Sequence, residues 1–358
     1  MFCKISKNYW ELPALVNSKK TCPKKTWLLR LSVLGVILVF CVVMLGAWTR
    51  LRDAGLGCPD WPTCYGMLTV PTQAHDVLRA EALYPDQPVE ASKAWPETIH
   101  RYFASTLGLL MVVLAAIAVT GRREPGMPVK QALFMVGLVC LQGAFGAWTV
   151  TMKLFPPVVT THLLLGFTTF AMLTLLALRA GDFFPTSAER HIRALRPLAF
   201  AGLVILVLQI ALGGWTASNY AAAVCTGLPV CQSGWTHLLN FDTAFQFFGH
   251  DAPTYQYAPH LLPDAKITIH VMHRIGAILT TLMLLSLIAA LWRRATTQRY
   301  RVFAAVLLTA LIAQVLLGVS NIVFQLPLAV AVAHNAVAAV LLQILVALIF
   351  SLSRERVA

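Results

Sequence analysis

The chain reads as an all-α polytopic membrane protein, with eight transmembrane helices arranged as two tandem, pseudo-symmetric four-helix bundles and both termini cytoplasmic. Composition, the spacing of apolar stretches and an internal repeat carry that prediction. Of 358 residues, 58% are hydrophobic and only 12% charged, against roughly 25% charged in an ordinary soluble chain. Mean hydropathy is +0.70. So few charges do not cover that much apolar surface in water, which excludes a soluble enzyme, a disordered chain and a nucleic-acid binder.

Crossing a bilayer core of about 30 Å takes roughly 20 apolar residues per helix. Eight stretches meet that length: 28–48, 98–120, 131–150, 158–178, 197–218, 268–292, 302–320 and 328–351. They are read as helices because lipid offers no partner for an open strand edge. The first follows a 27-residue tail and lacks a small-residue cleavage site, so it reads as a retained span rather than a cleaved signal. The predicted organisation is a tail at 1–27, a first bundle at 28–182 and a second at 183–358.

The net charge of +13 is mostly topological. With the N-terminus inside, the tail, the inner loops and the inner end of the first span carry 20 Lys and Arg against 5 Asp and Glu, and the outer segments with the outer helix ends carry 8 against 10. This is a strong positive-inside bias, and it leaves no basic stripe for a polyanion. Two long loops, about 49–97 and 219–267, then face outward.

The two halves repeat. Gly46-Ala47-Trp48-Thr49 returns as Gly213-Gly214-Trp215-Thr216, and Cys58 and Cys64 return as Cys225 and Cys231, all displaced by 167. His100-Arg101 returns as His273-Arg274, displaced by 173. Gln142, Gly146 and His162 return as Gln314, Gly318 and His334, displaced by 172. Features matched in one order imply parallel repeats about an axis along the membrane normal.

Each outer loop holds a Cys-x5-Cys pair, on the side where thiols oxidise. Disulfides Cys58–Cys64 and Cys225–Cys231 are the favoured reading, each worth about 2.4 kcal/mol in the chain-entropy model. A redox-active pair and a metal site are the alternatives.

His100, His162, His273 and His334 lie in apolar spans, where polar side chains are costly and usually functional. In each half they fall on the second and fourth helices, near the outer ends, so two imidazoles at one level across a four-helix bundle suit axial ligation of haem iron. Arg101 and Arg274 follow two of them and are placed to pair with haem propionates or simply to snorkel; Arg50 is a further propionate candidate. Glu97 stands one turn before His100, while its counterpart in the second half is His270. One reactive site and one electron-carrying site follow, unless Glu97 only ends its helix. His270 competes with His273 as the ligand, and the arginine after His273 favours the latter.

These residues resemble a known family. The loop Gly55-Leu56-Gly57-Cys58-Pro59-Asp60-Trp61-Pro62-Thr63-Cys64-Tyr65-Gly66 is similar to the first outer loop of the haem A synthases, and so are Glu97-Thr98-Ile99-His100-Arg101, Leu212-Gly213-Gly214-Trp215-Thr216 and His273-Arg274. The resemblance implies oxidation of the ring methyl at position 8 of haem O to a formyl group, giving haem A for terminal oxidases. It implies that His100 and His162 hold the substrate haem O, with Glu97 as the catalytic acid beside them. It likewise implies that His273 and His334 ligate a resident haem b, and that the loop cysteines are disulfide-bonded. The expected setting is a bacterial inner membrane with the loops periplasmic. The expected partners are a haem O-forming farnesyltransferase (haem O synthase) and the oxidase assembly apparatus, and a homo-oligomer is compatible with them. The alternative function is a dihaem b-type electron-transfer or haem-handling protein with no ring chemistry.

Mass spectrometry of freshly prepared membranes is expected to find Cys58, Cys64, Cys225 and Cys231 oxidised in pairs; four free thiols would remove the disulfide reading.

Overall fold

In a computed structural model, residues 22–181, 183–184, 190–248 and 261–354 are described. Most of the predicted tail, the predicted boundary at 182 and part of the second long loop lie outside them. The long helices are α1 (Pro23–Leu51), α3 (Ala91–Thr120), α4 (Val129–Thr151), α5 (Pro156–Gly181), α7 (Arg196–Ser218), α9 (Pro263–Arg294), α10 (Gln298–Val323) and α11 (Leu328–Arg354). Between them lie the short α2 (Ala74–Leu83), α6 (Arg190–Arg193) and α8 (Phe241–Ala244). Eight helices are long and apolar enough to cross a membrane, one for each predicted span, and no strand occurs among the described residues.

On the cysteine-loop side the helix starts differ most from the apolar stretches in α3 and α9. These begin at Ala91 and Pro263 rather than near 98 and 268, because their polar first turns run up beneath the loops instead of ending at the apolar boundary. Glu97 therefore lies inside a helix, behind Pro96, and is not a cap. At the opposite end of the molecule the first turn of α1 is capped from outside. The Glu124 carboxylate accepts from the backbone N–H groups of Lys24 (3.2 Å) and Lys25 (2.9 Å), as the positive end of a helix dipole favours.

In the first half α1 packs on α3 and α5, and α4 packs on the same two. In the second half α7 packs on α9 and α11, and α10 packs on the same two. The halves meet where α1 and α5 touch α11 and where α5 touches α7. A Cβ on Gly214 of α7 would lie 3.3 Å from Thr160 of α5, so a small residue sets that approach. Arg50 crosses the seam: it donates to the Ala217 carbonyl at 2.8 Å and stacks over the Tyr220 ring at 4.2 Å.

Matched backbone geometry accompanies the sequence repeat. Helices α1 and α7 end with left-handed residues Asp53 (φ 52°) and Tyr220 (φ 53°), and α4 and α10 end on the pairs Lys153-Leu154 and Gln325-Leu326, also at positive φ. The next N–H reaches back five residues each time: Ala54 to Thr49, Ala221 to Thr216, Leu154 to Thr149 and Leu326 to Asn321. This αL ending satisfies carbonyls the helix leaves over and turns the chain sharply.

The first long loop has a small core of its own, formed by Cys58, Cys64, Tyr65, Val70, Ala80 and Ala94. The cysteines are disulfide-bonded, as are Cys225 and Cys231 in the second loop. Asp60 ties the first loop together. Its carboxylate accepts from the Thr63 hydroxyl and from the N–H groups of Tyr65 (2.6 Å) and Gly66 (2.9 Å). Burial and the nearby acids Glu90, Glu97, Asp60 and Glu81 push the Tyr65 phenol up to about 12, so it stays protonated and donates to the Pro88 carbonyl. Gly57 seats the loop on α3: a Cβ there would lie 2.4 Å from the Lys93 backbone. Gly57→Ala is expected to lift the loop and cost about 1–3 kcal/mol, as overpacking does, measured as a lower melting temperature and faster proteolysis within 55–90.

Candidate functional site

Four imidazoles each sit against a glycine of a neighbouring helix. His100 on α3 packs against Gly46 of α1, and His162 on α5 against Gly146 of α4. His273 on α9 packs against Gly213 of α7, and His334 on α11 against Gly318 of α10. A Cβ on any of these glycines would lie 3.0–3.2 Å from the ring, so a larger residue there would press on the imidazole. His100 and His162 are close enough to interact electrostatically, and so are His273 and His334.

The donor set suits an iron macrocycle better than a bare ion. Among the described residues no group of three or more His, Cys, Asp or Glu side chains is placed to hold a metal ion. Nδ1 of His100, His162 and His334 is buried without a partner, a cost that a ligand would relieve. The four histidines are nevertheless only part-buried as residues, so the rings are not sealed in packed core. Two neutral imidazoles per half, each with an unsatisfied or weakly held nitrogen, fit a metal bound between two helices.

Above each pair sits an arginine clamp. Glu97 is 5% exposed. Its carboxylate accepts from the Cys58 N–H at 3.1 Å and pairs with Arg101 at 2.5 Å. Arg101 also donates to the Asp60 carbonyl at 2.9 Å and to the Thr63 carbonyl. The second half repeats the pattern with an imidazole. The Cys225 N–H meets His270 Nδ1 at 3.4 Å, and Arg274 Nε meets His270 Nε2 at 3.2 Å. Arg274 donates as well to the carbonyls of Gly227, Val230 (2.8 Å) and Cys225.

The sequence reading is thus met unevenly. The structure brings His100 near His162 and His273 near His334. His270 occupies Glu97's position in the clamp, which leaves His273 to face Gly213. Arg101 and Arg274, expected near propionates or at the interface, have their guanidiniums engaged by loop carbonyls, and Arg50 is engaged at the seam. Sequence reasoning missed Gln209, which lies 3.1 Å from His273 Nδ1 and donates to the His273 carbonyl at 2.9 Å. It had no repeat partner to draw attention to it. Gln314 lies 3.2 Å from His334 Nε2, while Gln142 donates to the His162 carbonyl.

The fold and this arrangement define a class: a multi-pass helical membrane protein with paired histidines between helices, beneath disulfide-closed loops. The family model described as cytochrome oxidase assembly protein (COX15-CtaA) matches residues 29–346, and the chain belongs to that family. It is similar to a protein named heme A synthase from Shewanella oneidensis, at 46% identity over 90% of this chain and 94% of the relative. Another heme A synthase, from Caulobacter vibrioides, is 26% identical over 96% of this chain and all of the relative. A third, from Caulobacter sp., is 28% identical over 92% and 96%.

Arg274→Lys is expected not to restore what Arg274→Ala loses, because an ammonium lacks the planar fork that reaches several carbonyls at once. Each lost charged hydrogen bond is worth about 1.5–3 kcal/mol. The readout is the rate at which a thiol reductant opens Cys225–Cys231, which should rise in both variants.

Proposed function

We propose that this protein is a haem A synthase, an enzyme that converts haem O to haem A, with oxidation of the ring methyl at position 8 to a formyl group as its reaction. One observation carries the reading: two halves share one frame, yet only the first places a carboxylate in the clamp. Glu97 sits one helical turn from His100, held by the Cys58 N–H and Arg101. His270 stands in its place in the second half. A carrier that only passed electrons would have no use for an acid on one side.

In this reading His100 and His162 hold the substrate haem O by its iron, and His273 and His334 hold a resident haem b. The resident group, when bound, supplies one-electron redox capacity. The chain's own residues bind and orient. The glycines opposite the histidines admit the rings, and the disulfide-closed loops cover the bundle ends and shield the reacting carbon from bulk solvent. Glu97 offers a fixed carboxylate that takes a proton from the methyl carbon or balances positive charge developing there. A methyl-to-formyl oxidation removes four electrons, so a second redox site close by is chemically useful. The charge bias supports a bacterial inner-membrane setting with cytoplasmic termini, periplasmic loops and each four-helix half as a structural unit. An apolar substrate made in the membrane favours handover from a haem O-forming farnesyltransferase and onward to oxidase assembly.

The test is to purify the protein from cells that also express a haem O-forming enzyme and resolve its pigments by HPLC and mass spectrometry. Haem b together with haem O, its hydroxylated form or haem A is the expected result; haem b alone would favour an electron carrier. Glu97→Ala and Glu97→Gln are both expected to keep pigment but to stop at or before the alcohol. The Gln variant retains an acceptor for the Cys58 N–H, so its failure would be due to the lost charge rather than a loosened loop. Normal haem A output from it would remove Glu97 from the chemistry.

A further inference from the structure

The two halves differ at a second place, beside the histidines. In the second half Gln209 of α7 reaches over α9. Its amide nitrogen lies 3.1 Å from His273 Nδ1 and 2.9 Å from the His273 carbonyl. At the repeat displacement of 167 the first half has Val42, which can offer His100 a backbone carbonyl but no side-chain partner for Nδ1. The space for the amide is specific too. A Cβ on Gly276 would lie 2.2 Å from Gln209 Oε1, and the first-half counterpart of Gly276, displaced by 173, is Phe103. Two substitutions on different helices therefore act together: Gln209 with Gly276 puts an amide beside one ring, and Val42 with Phe103 leaves the other without a side-chain partner. On the third spans, Gln314 reaches the other ring nitrogen, Nε2, of His334, and the Gln142 side chain donates to the His162 carbonyl.

We propose that Gln209 is a positioning residue that makes the second haem site a retaining one, and that its absence from the first half leaves that site able to exchange its haem. The proposal rests on the reading of His273 and His334 as ligands of a resident haem. A histidine that ligates through one ring nitrogen is oriented by what the other nitrogen bonds, and loss of such a partner typically lowers metal affinity about 10–100-fold. A primary amide suits the task because it is neutral and serves either tautomer: its nitrogen donates to a bare ring nitrogen, and its oxygen accepts from a protonated one. Gln209 Oε1 is buried and without a partner, so that acceptor is in reserve. An enzyme whose substrate and cofactor are both haems must release one and keep the other, and this pair of helices supplies the difference.

The test compares wild type with Gln209→Met, which keeps the volume and removes the hydrogen bonds, and with Gly276→Ala, which displaces the amide while leaving Gln209 in the chain. Haem b transfer from detergent-purified protein to excess apomyoglobin is followed optically, and the haem b midpoint potential is titrated. Both variants are expected to lose haem b about 10–100 times faster. Their potential is expected to rise, because an imidazole with no acceptor for its ring N–H is a weaker base and favours ferric iron less. Merely structural damage would not raise the potential of the haem that remains bound. Wild-type release rate and potential in Gln209→Met would overturn the proposal. His273→Ala separates the two levels of inference. If it removes haem b while Gln209→Met does not disturb it, only the role of Gln209 falls; if it leaves haem b in place, the ligand reading falls and the proposal with it.

Discussion

The cysteine-loop end of the molecule depends on one guanidinium in each half. Arg101 and Arg274 gather backbone carbonyls from loops with little regular structure, while the residue one turn earlier, Glu97 or His270, takes the N–H of the first loop cysteine. Buried backbone groups need partners, and near a membrane boundary water is a poor supplier. An arginine has five donors in a fixed plane, enough to satisfy carbonyls that converge from different directions. The disulfide closes a seven-residue ring, and that closure brings those carbonyls to one place. Disulfide and arginine are thus parts of one device that seats a loop over a pair of histidines.

A duplicated frame allows chemistry to diverge without redesign of the fold. The glycines opposite the histidines, the left-handed helix endings and the clamps recur in both halves. Beside the histidines the two frames differ in side chains: carboxylate against imidazole at 97 and 270, valine against glutamine at 42 and 209, and phenylalanine against glycine at 103 and 276. None of these alters a helix, since each residue fits a helical backbone. Together they change what a half offers to a bound group. The seam held by Arg50 and Gly214 keeps the two unlike halves beside each other.

Much of this was legible in the chain. The eight spans were readable because lipid permits few backbone solutions and hydropathy reports them directly. The histidine pairs and cysteine pairs were readable because the repeat set each beside its counterpart. Helix ends were less legible: the starts of α3 and α9 lie in polar sequence that continues the helix under a loop, and no apolar pattern marks them. The targets of Arg101 and Arg274 were not legible either, because a guanidinium at a helix end looks the same in sequence whether it meets a ligand, the membrane interface or a loop carbonyl.

The sequence by itself determined which segments cross the membrane, their order, their duplication and the acid at Glu97 that the second half replaces with His270, since all of these follow from composition and spacing along one strand of chain. Only the tertiary structure put His270 in the clamp and His273 against Gly213, gave the arginines to the loops and brought Gln209 to a histidine 64 residues away. Those outcomes depend on how each helix is rotated about its axis and where a loop returns, and such contacts between distant residues have no local signature.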